Sequence, residues 1–159
     1  MEAGLNDVDV VYRAATLDDV PGMARIRAAE WETEQYWRAR IAGYMEGKLH
    51  PREALAPRIV FVAASGNDLV GLVAGHLTRR YGCDGELEWI DVVREQRRAG
   101  LASALLSRLA EWFVAQDAFR ICVDPGNETA RSFYRDHGAG DLNQHWLVWS
   151  DVRTVLSER

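Results

Sequence analysis

The sequence predicts an α/β fold of the α+β kind: a mixed, mainly antiparallel central sheet with helices on both faces. Three observations carry this. Apolar runs rich in β-branched residues follow one another through short polar turns, "RIVFVAA", "DLVGLVAGHLTRR" and "ELEWIDVV", which reads as an antiparallel meander. A long apolar stripe, Ala102, Leu105, Leu106, Leu109 and Phe113, follows at helical spacing. The next strand, "FRICVD", lies too far on for a hairpin, so a helical crossover and a parallel partner are expected.

The remaining elements fall in order around this frame. "DVVYRAA" reads as a first strand. Thr16 caps the helix that follows, with Asp19 three residues on in the manner of a capping box, and that helix runs to about Ala29. A second helix spans Thr33 to Gly47, and "HPREALAPR" reads as a loop. Near the end, "NETARSFYRDHG" forms a compact helix capped by Asn127 and stopped by Gly138. "QHWLVWS" supplies a last strand, expected antiparallel.

Composition narrows the function. With 159 residues the chain reads as one domain spanning residues 1–159, long enough to bury about two-thirds of its unfolded surface. The net charge of −5 argues against a general polyanion binder, since nucleic-acid proteins show a basic face. No window holds ~18 uninterrupted apolar residues, so no membrane span is expected. The acidic start "MEAGLNDVDV" lacks the layout of an export signal, so the cytoplasm is the expected compartment. Cys83 and Cys122 sit in no C-x-x-C or Cys/His cluster and read as plain thiols. His50, His76, His137 and His145 have no partner at ligand spacing, so no metal is expected.

One local exception stands out. In "WIDVVREQRRAGLASALL" a strand ends, three arginines pass, and a glycine opens the Ala/Leu-rich helix. A helix N-terminus leaves its first N–H groups unpaired and carries about half a positive charge. Gly100 removes the Cβ that would keep a ligand from the backbone. Ala102 keeps the first turn thin, while Arg97 and Arg98 add charge suited to phosphate. This makes a pyrophosphate cradle without the spacing of a P-loop or a dinucleotide fingerprint. The same residues also fit a tight-turn glycine beside a solvated arginine face.

The segment Arg97-Arg98-Ala99-Gly100-Leu101-Ala102 resembles motif A of the GNAT superfamily, the acyl-CoA-dependent N-acyltransferases. "GELEWIDVV" resembles the strand before that motif, with Val92 five residues ahead of Arg97. "NETARSFY" resembles the family's Asn-x-x-Ala-x-x-aromatic-Tyr segment through Asn127, Ala130, Phe133 and Tyr134. Arg98 and Ala99 depart from the usual glycine and basic residue, and "HGA" replaces the usual "GF".

The resemblance implies the GNAT fold, with about seven strands, and an N-acetyltransferase with acetyl-CoA as co-substrate. It implies that the pyrophosphate rests on the N–H groups from Arg98 through Ala99, Gly100, Leu101 and Ala102 to Ser103. The pantetheine arm would pair as an extra strand with Ile90, Asp91, Val92 and Val93. A backbone N–H near Val92 would serve the oxyanion. Tyr134, two helical turns after Asn127, would protonate or hold the leaving thiolate. Asn127 could bond the cofactor as well as cap its helix. Glu86 aligns with an acidic position that acts as base in some members. Glu88 is the second base candidate, because strand alternation puts both glutamates on one face, opposite Leu87, Trp89 and Asp91.

The expected acceptor is a primary amine of a small molecule or peptide, attacking directly in a ternary complex, since no cysteine matches an acyl-carrying nucleophile. Glu30, Glu32 and Glu34 could attract a cationic amine, and Trp31, Tyr36 and Trp37 could wall its pocket. The expected partners are this acceptor and, for assembly, a second copy in a homodimer, with no nucleic acid and no membrane. The alternative is a non-catalytic acyl-CoA-binding regulatory module.

Overall fold

A computed structural model describes residues 10–97 and 100–157. Seven strands form one sheet in the order β1-β2-β3-β4-β5-β7-β6. They are β1 (Val10–Ala14), β2 (Ala54–Ser65), β3 (Asp68–Thr78), β4 (Gly85–Val92), β5 (Ile121–Val123), β6 (Gly140–Asp141) and β7 (Leu147–Trp149). The helices are α1 (Val20–Ala28), α2 (Glu34–Met45), α3 (Leu101–Ala115), α4 (Glu128–Asp136) and α5 (Arg153–Ser157). β1 to β4 run antiparallel in succession. β5 joins β4 in parallel after the α3 crossover, and β7 returns antiparallel.

Local chemistry accounts for most of this. Thr16 and Asp19 close the capping box, with the Thr16 N–H donating to Asp19 Oδ2 at 2.8 Å. Arg13 grips the same carboxylate from β1 and holds Asp19 below the usual carboxylate range. Thr33 accepts from the Tyr36 N–H at 3.0 Å and starts α2. Three short elements carried too little pattern to be read: the two-residue β6, the five-residue α5 and the start of β2. The expected loop at 50–58 is in part strand, since Ala54 and Leu55 pair with Thr78 and Leu77 before a register shift at Arg58.

Two cores flank the sheet. Met23, Ile26, Trp37, Ile41 and Tyr44 from α1 and α2 pack on Val62, Leu72 and Trp89. Leu105, Leu109 and Phe113 of α3 pack on Val73, Leu87 and Ile121 on the other face, each such burial contributing about 1.5–3 kcal/mol. α3 lies close to the sheet because β3 has no side chain at Gly75, where a Cβ would stand 2.9 Å from Leu109. Cys83 and Cys122 are both free and buried.

Candidate active site

The sheet is clamped at one end of the β4–β5 pair and open at the other. Asp84 Oδ2 accepts from the N–H groups of Phe119 and Arg120, at 3.0 and 2.9 Å, fastening the two strand starts together. Parallel pairing then lasts only from Gly85–Ile121 to Leu87–Val123, so β4 continues past its partner. The Val93 N–H donates to Val70 C=O, which makes Gly71–Val92 a non-hydrogen-bonded pair. The main-chain groups of Val92, and of Ile90 two residues earlier, therefore face the open edge. No strand pairs with that edge, although the Asp91 and Arg97 side chains bond Val92.

At the open end α3 begins. Gly100 sits at φ 82°, ψ 6°, in the left-handed region, with no side-chain cap on the helix. The first helical bond runs from the Ala104 N–H to Gly100 C=O, which leaves the N–H groups of Leu101, Ala102 and Ser103 without an intrahelical acceptor. A Cβ on Gly100 would meet nothing within 4 Å among the described residues, so the glycine answers the left-handed backbone and not crowding. Arg98 and Ala99 lie outside the described residues.

Arg97 behaves differently from expectation. Its Nε donates to Val92 C=O at 3.0 Å and its Nη2 to Glu30 at 3.0 Å. Arg94 lies 3.5 Å from the same carboxylate. Glu30 thus pairs with two arginines at the junction. Asp91, lifted by burial against the opposing pull of Arg27 and Arg97, accepts from the Val92 N–H at 3.0 Å. The oxyanion donor expected near Val92 is therefore occupied by the Asp91 side chain, itself held 3.7 Å from Arg27 and 3.5 Å from Arg97.

Tyr134 lies in α4, within electrostatic reach of Asp91 near the end of β4 and of Asp124 just after β5. It is 4 % exposed and packs edge-on against Trp149. Burial raises its phenol well above the usual range, while Arg27 draws it down and Asp124 and Asp91 push it up. Its hydroxyl makes no hydrogen bond among the described residues, whereas Asn127, at the helix start, accepts from the Ala130 N–H at 2.8 Å as a cap. Ser103 and His137 tie α3 to α4 at 2.9 Å.

On the other face Glu86, Glu88 and His76 converge, their donor atoms all within 4.8 Å of one another. Trp89 and Asp91 share that face, which corrects the strict alternation expected of β4. On β3, Ala74 and Gly75 are adjacent, yet they pair with Trp89 and Leu87. Glu88 is the extra residue of a bulge, which re-aims everything after it. Leu87 therefore joins the α3 core while Trp89 joins the α1–α2 core.

Along the chain His76 has no partner at ligand spacing, but the fold supplies two. Tyr44 hydroxyl and His76 Nδ1 lie 2.9 Å apart, and His76 Nε2 is buried without a hydrogen bond, 3.6 Å from Glu86. A divalent cation could bridge this spacing, but Arg80 Nε already occupies Glu86 at 3.0 Å, and Arg40 and Arg27 lend positive charge to Glu88. We assign no metal. Burial raises Glu88 above the ordinary glutamate value, with Glu86 adding to the rise and His76, Arg40 and Arg27 opposing it.

Sequence reasoning missed Arg27. It projects from α1 onto the Trp37 ring at 4.4 Å and lies 3.7 Å from Asp91, with its Nε buried and unpaired among the described residues. Its charge reaches Asp91, Glu88 and Tyr134 together, so it links the two sides of β4. The available signal was a charge on the apolar stripe Val20, Met23, Ala24, Arg27, at helical spacing. A larger hollow of about 400 Å³, near Arg13, Asp18 and Asn67, is lined by none of these residues.

Solved structures share this architecture. A GNAT-family protein of Desulfovibrio desulfuricans is 16 % identical, with a TM-score of 0.70 over 90 % of this chain and 99 % of that one. An acetyltransferase of Thermus thermophilus is 18 % identical, with a TM-score of 0.66 over 89 % and 96 %. The PaiA N-acetyltransferase of Thermoplasma acidophilum, solved with coenzyme A, is 15 % identical, with a TM-score of 0.62 over 89 % and 98 %. No curated protein matches the sequence. The model of the acetyltransferase (GNAT) family matches residues 22–139. With the split β4–β5 edge and the uncapped start of α3 at its centre, the chain belongs to the GNAT acetyltransferase family.

Proposed function

We propose that this acetyltransferase, acting as a single domain over residues 1–159, moves an acetyl group from acetyl-CoA to a primary amine by direct attack in a ternary complex. The observation that carries this is the pairing of two backbone features at one point: amides at Leu101–Ser103 with no intrahelical acceptor, beside Gly100, and the β4 edge at Ile90–Val92 beyond its β5 partner, where only side chains, Asp91 and Arg97, now bond Val92. The first suits a diphosphate and the second an extended amide arm. The similar Thermoplasma protein solved with coenzyme A supports the same donor. In this reading Ile90 to Val93 hold the arm, and Arg97, Arg98 and the amides through Ser103 hold the diphosphate. Asn127 contributes by fixing the start of α4.

The chemistry divides between the two faces. Glu88, assisted by Glu86 and His76, takes a proton from the acceptor ammonium, whose ordinary pKa lies near ~10 for a lysine-like amine. The amine nitrogen then bonds to the acetyl carbon as the carbon–sulfur bond breaks. The Tyr134 phenol gives its proton to the departing sulfur, and the second amine proton returns to Tyr134 or to solvent. The products are an amide and a free thiol, with one proton released overall. Both cysteines are buried, which favours direct transfer over an acetyl-enzyme.

Thermal shift with acetyl-CoA, ATP and NAD in parallel tests the donor. A ligand at ~100 times its Kd stabilises by about 2.7 kcal/mol, and only acetyl-CoA should do so. Thiol release across an amine panel tests the reaction. A shift with ATP or NAD alone overturns the donor, and an acetylated enzyme trapped without acceptor overturns direct transfer.

A further inference from the structure

Beside Glu88 lies a small cleft of about 60 Å³, lined by Arg40, Tyr44, Leu49, His50, Pro51 and Trp89. Its size suits one head group rather than a whole ligand, because a water takes about 30 Å³ of liquid volume. No carboxylate is among its lining residues. Arg40 is half-buried and makes no hydrogen bond or ion pair among the described residues, although its charge reaches Glu88. A guanidinium held partly out of water without a partner is a standing demand for an anion.

The rest of the wall is fastened so that it cannot answer that demand. Arg58 donates to Tyr44 C=O at 3.2 Å and to His50 Nδ1 at 2.8 Å. Because His50 Nδ1 accepts, the neutral ring carries its proton on Nε2, a second donor in the same wall. Arg40 and His50 thus line one cleft with Trp89, and Glu88, the residue before Trp89, feels the charge of Arg40. The acidic residues expected to draw in a cation are elsewhere, with Glu30 held by Arg94 and Arg97.

We propose that the acceptor is an amino acid or a close analogue, its amine directed to Glu88 and its carboxylate gripped by Arg40 with His50. This rests on the acetyl-transfer reading above and names the class of acceptor for it. The two charges of an α-amino acid sit on one carbon, which matches a cleft that abuts the base. Arginine suits the role because its planar fork can bond both carboxylate oxygens.

The test uses acceptor pairs that differ only in the carboxylate, such as leucine with isopentylamine and phenylalanine with phenethylamine, on wild type and Arg40→Gln. Wild type should favour each amino acid by at least ~tenfold in kcat/KM. Arg40→Gln should erase most of that ratio, mainly through KM of the amino acid, and Arg40→Lys should restore part of it. Any effect of Arg40 on Glu88 is common to both members of a pair and cancels in the ratio. Preference for the decarboxylated amines, or equal losses on both members, overturns the proposal. If neither member reacts while other amines of the panel release thiol, this proposal fails and the acetyl-transfer reading stands; if no amine of the panel reacts while acetyl-CoA still stabilises the protein, both fail. An unfolded variant is recognised by its loss of the acetyl-CoA thermal shift, and His50→Gln then supplies the same ratio.

Discussion

The donor and acceptor sides of this enzyme are built from different materials. On the proposed donor side, at the start of α3 and the β4 edge beyond β5, backbone would do the binding: amides without an intrahelical acceptor, a left-handed glycine and strand groups that no neighbouring strand pairs. On the acceptor side, between β4 and the first two helices, side chains from four elements meet: Arg27, Arg40, His76, Glu86 and Glu88. Every member of a family that shares a donor can keep a backbone cradle, because amides do not depend on residue identity. A side-chain cluster can be rewritten one residue at a time, which is how a common fold serves many acceptors.

Substitutions can break that contrast. The largest effect is expected at Tyr134, the side chain proposed to serve the donor's sulfur. Tyr134→Phe should lower kcat by at least ~tenfold, within the range for general acid catalysis, while acetyl-CoA affinity measured by calorimetry is retained. Loss of both together would mean that the ring is chiefly a core residue.

Glu88→Gln comes next and acts on pH dependence. Glu88 must be unprotonated to work, and burial raises it, so the wild-type rate should fall with decreasing pH at a value above the ordinary ~4.3 of glutamate. That limb should vanish in the variant. Stability should move the other way. Between the ordinary value and the raised one, the folded state keeps a proton the unfolded chain has lost, so the wild type loses stability as pH rises through that window. Glu88→Gln should therefore melt higher than wild type at pH 7 and show little gain at pH 4. An unchanged pH–rate profile would remove Glu88 as the base.

Gly100→Ala probes the cradle itself. A Cβ at φ 82° costs about 1–2 kcal/mol of backbone strain and fills the space over the amides. Coenzyme affinity should fall by about tenfold, with the acceptor preference unchanged. Unaltered affinity would place the diphosphate elsewhere. The smallest effect belongs to Asn127→Ala, which should cost about 1 kcal/mol in urea unfolding as a lost cap and leave acetyl-CoA affinity within about twofold. A larger loss of affinity would add a direct cofactor contact to the capping role.

Elements with strong local signals, and with them the junction proposed to hold the donor, are legible in the amino acids alone. The capping box at Thr16, the cap at Asn127, the stripe of α3 and the glycine before it all act within a few residues, where hydrogen bonds and periodicity leave a readable trace. The cluster proposed for the acceptor depends on how distant segments pack. One extra residue at Glu88 turned Trp89 and Asp91 onto the face of the glutamates, and the β3–β4 register set His76 beside Glu86. Arg27 and Arg40 reached the site from helices far away in sequence. A bulge reverses every side chain after it, and pairing register depends on the whole sheet, so no short window of sequence holds that information.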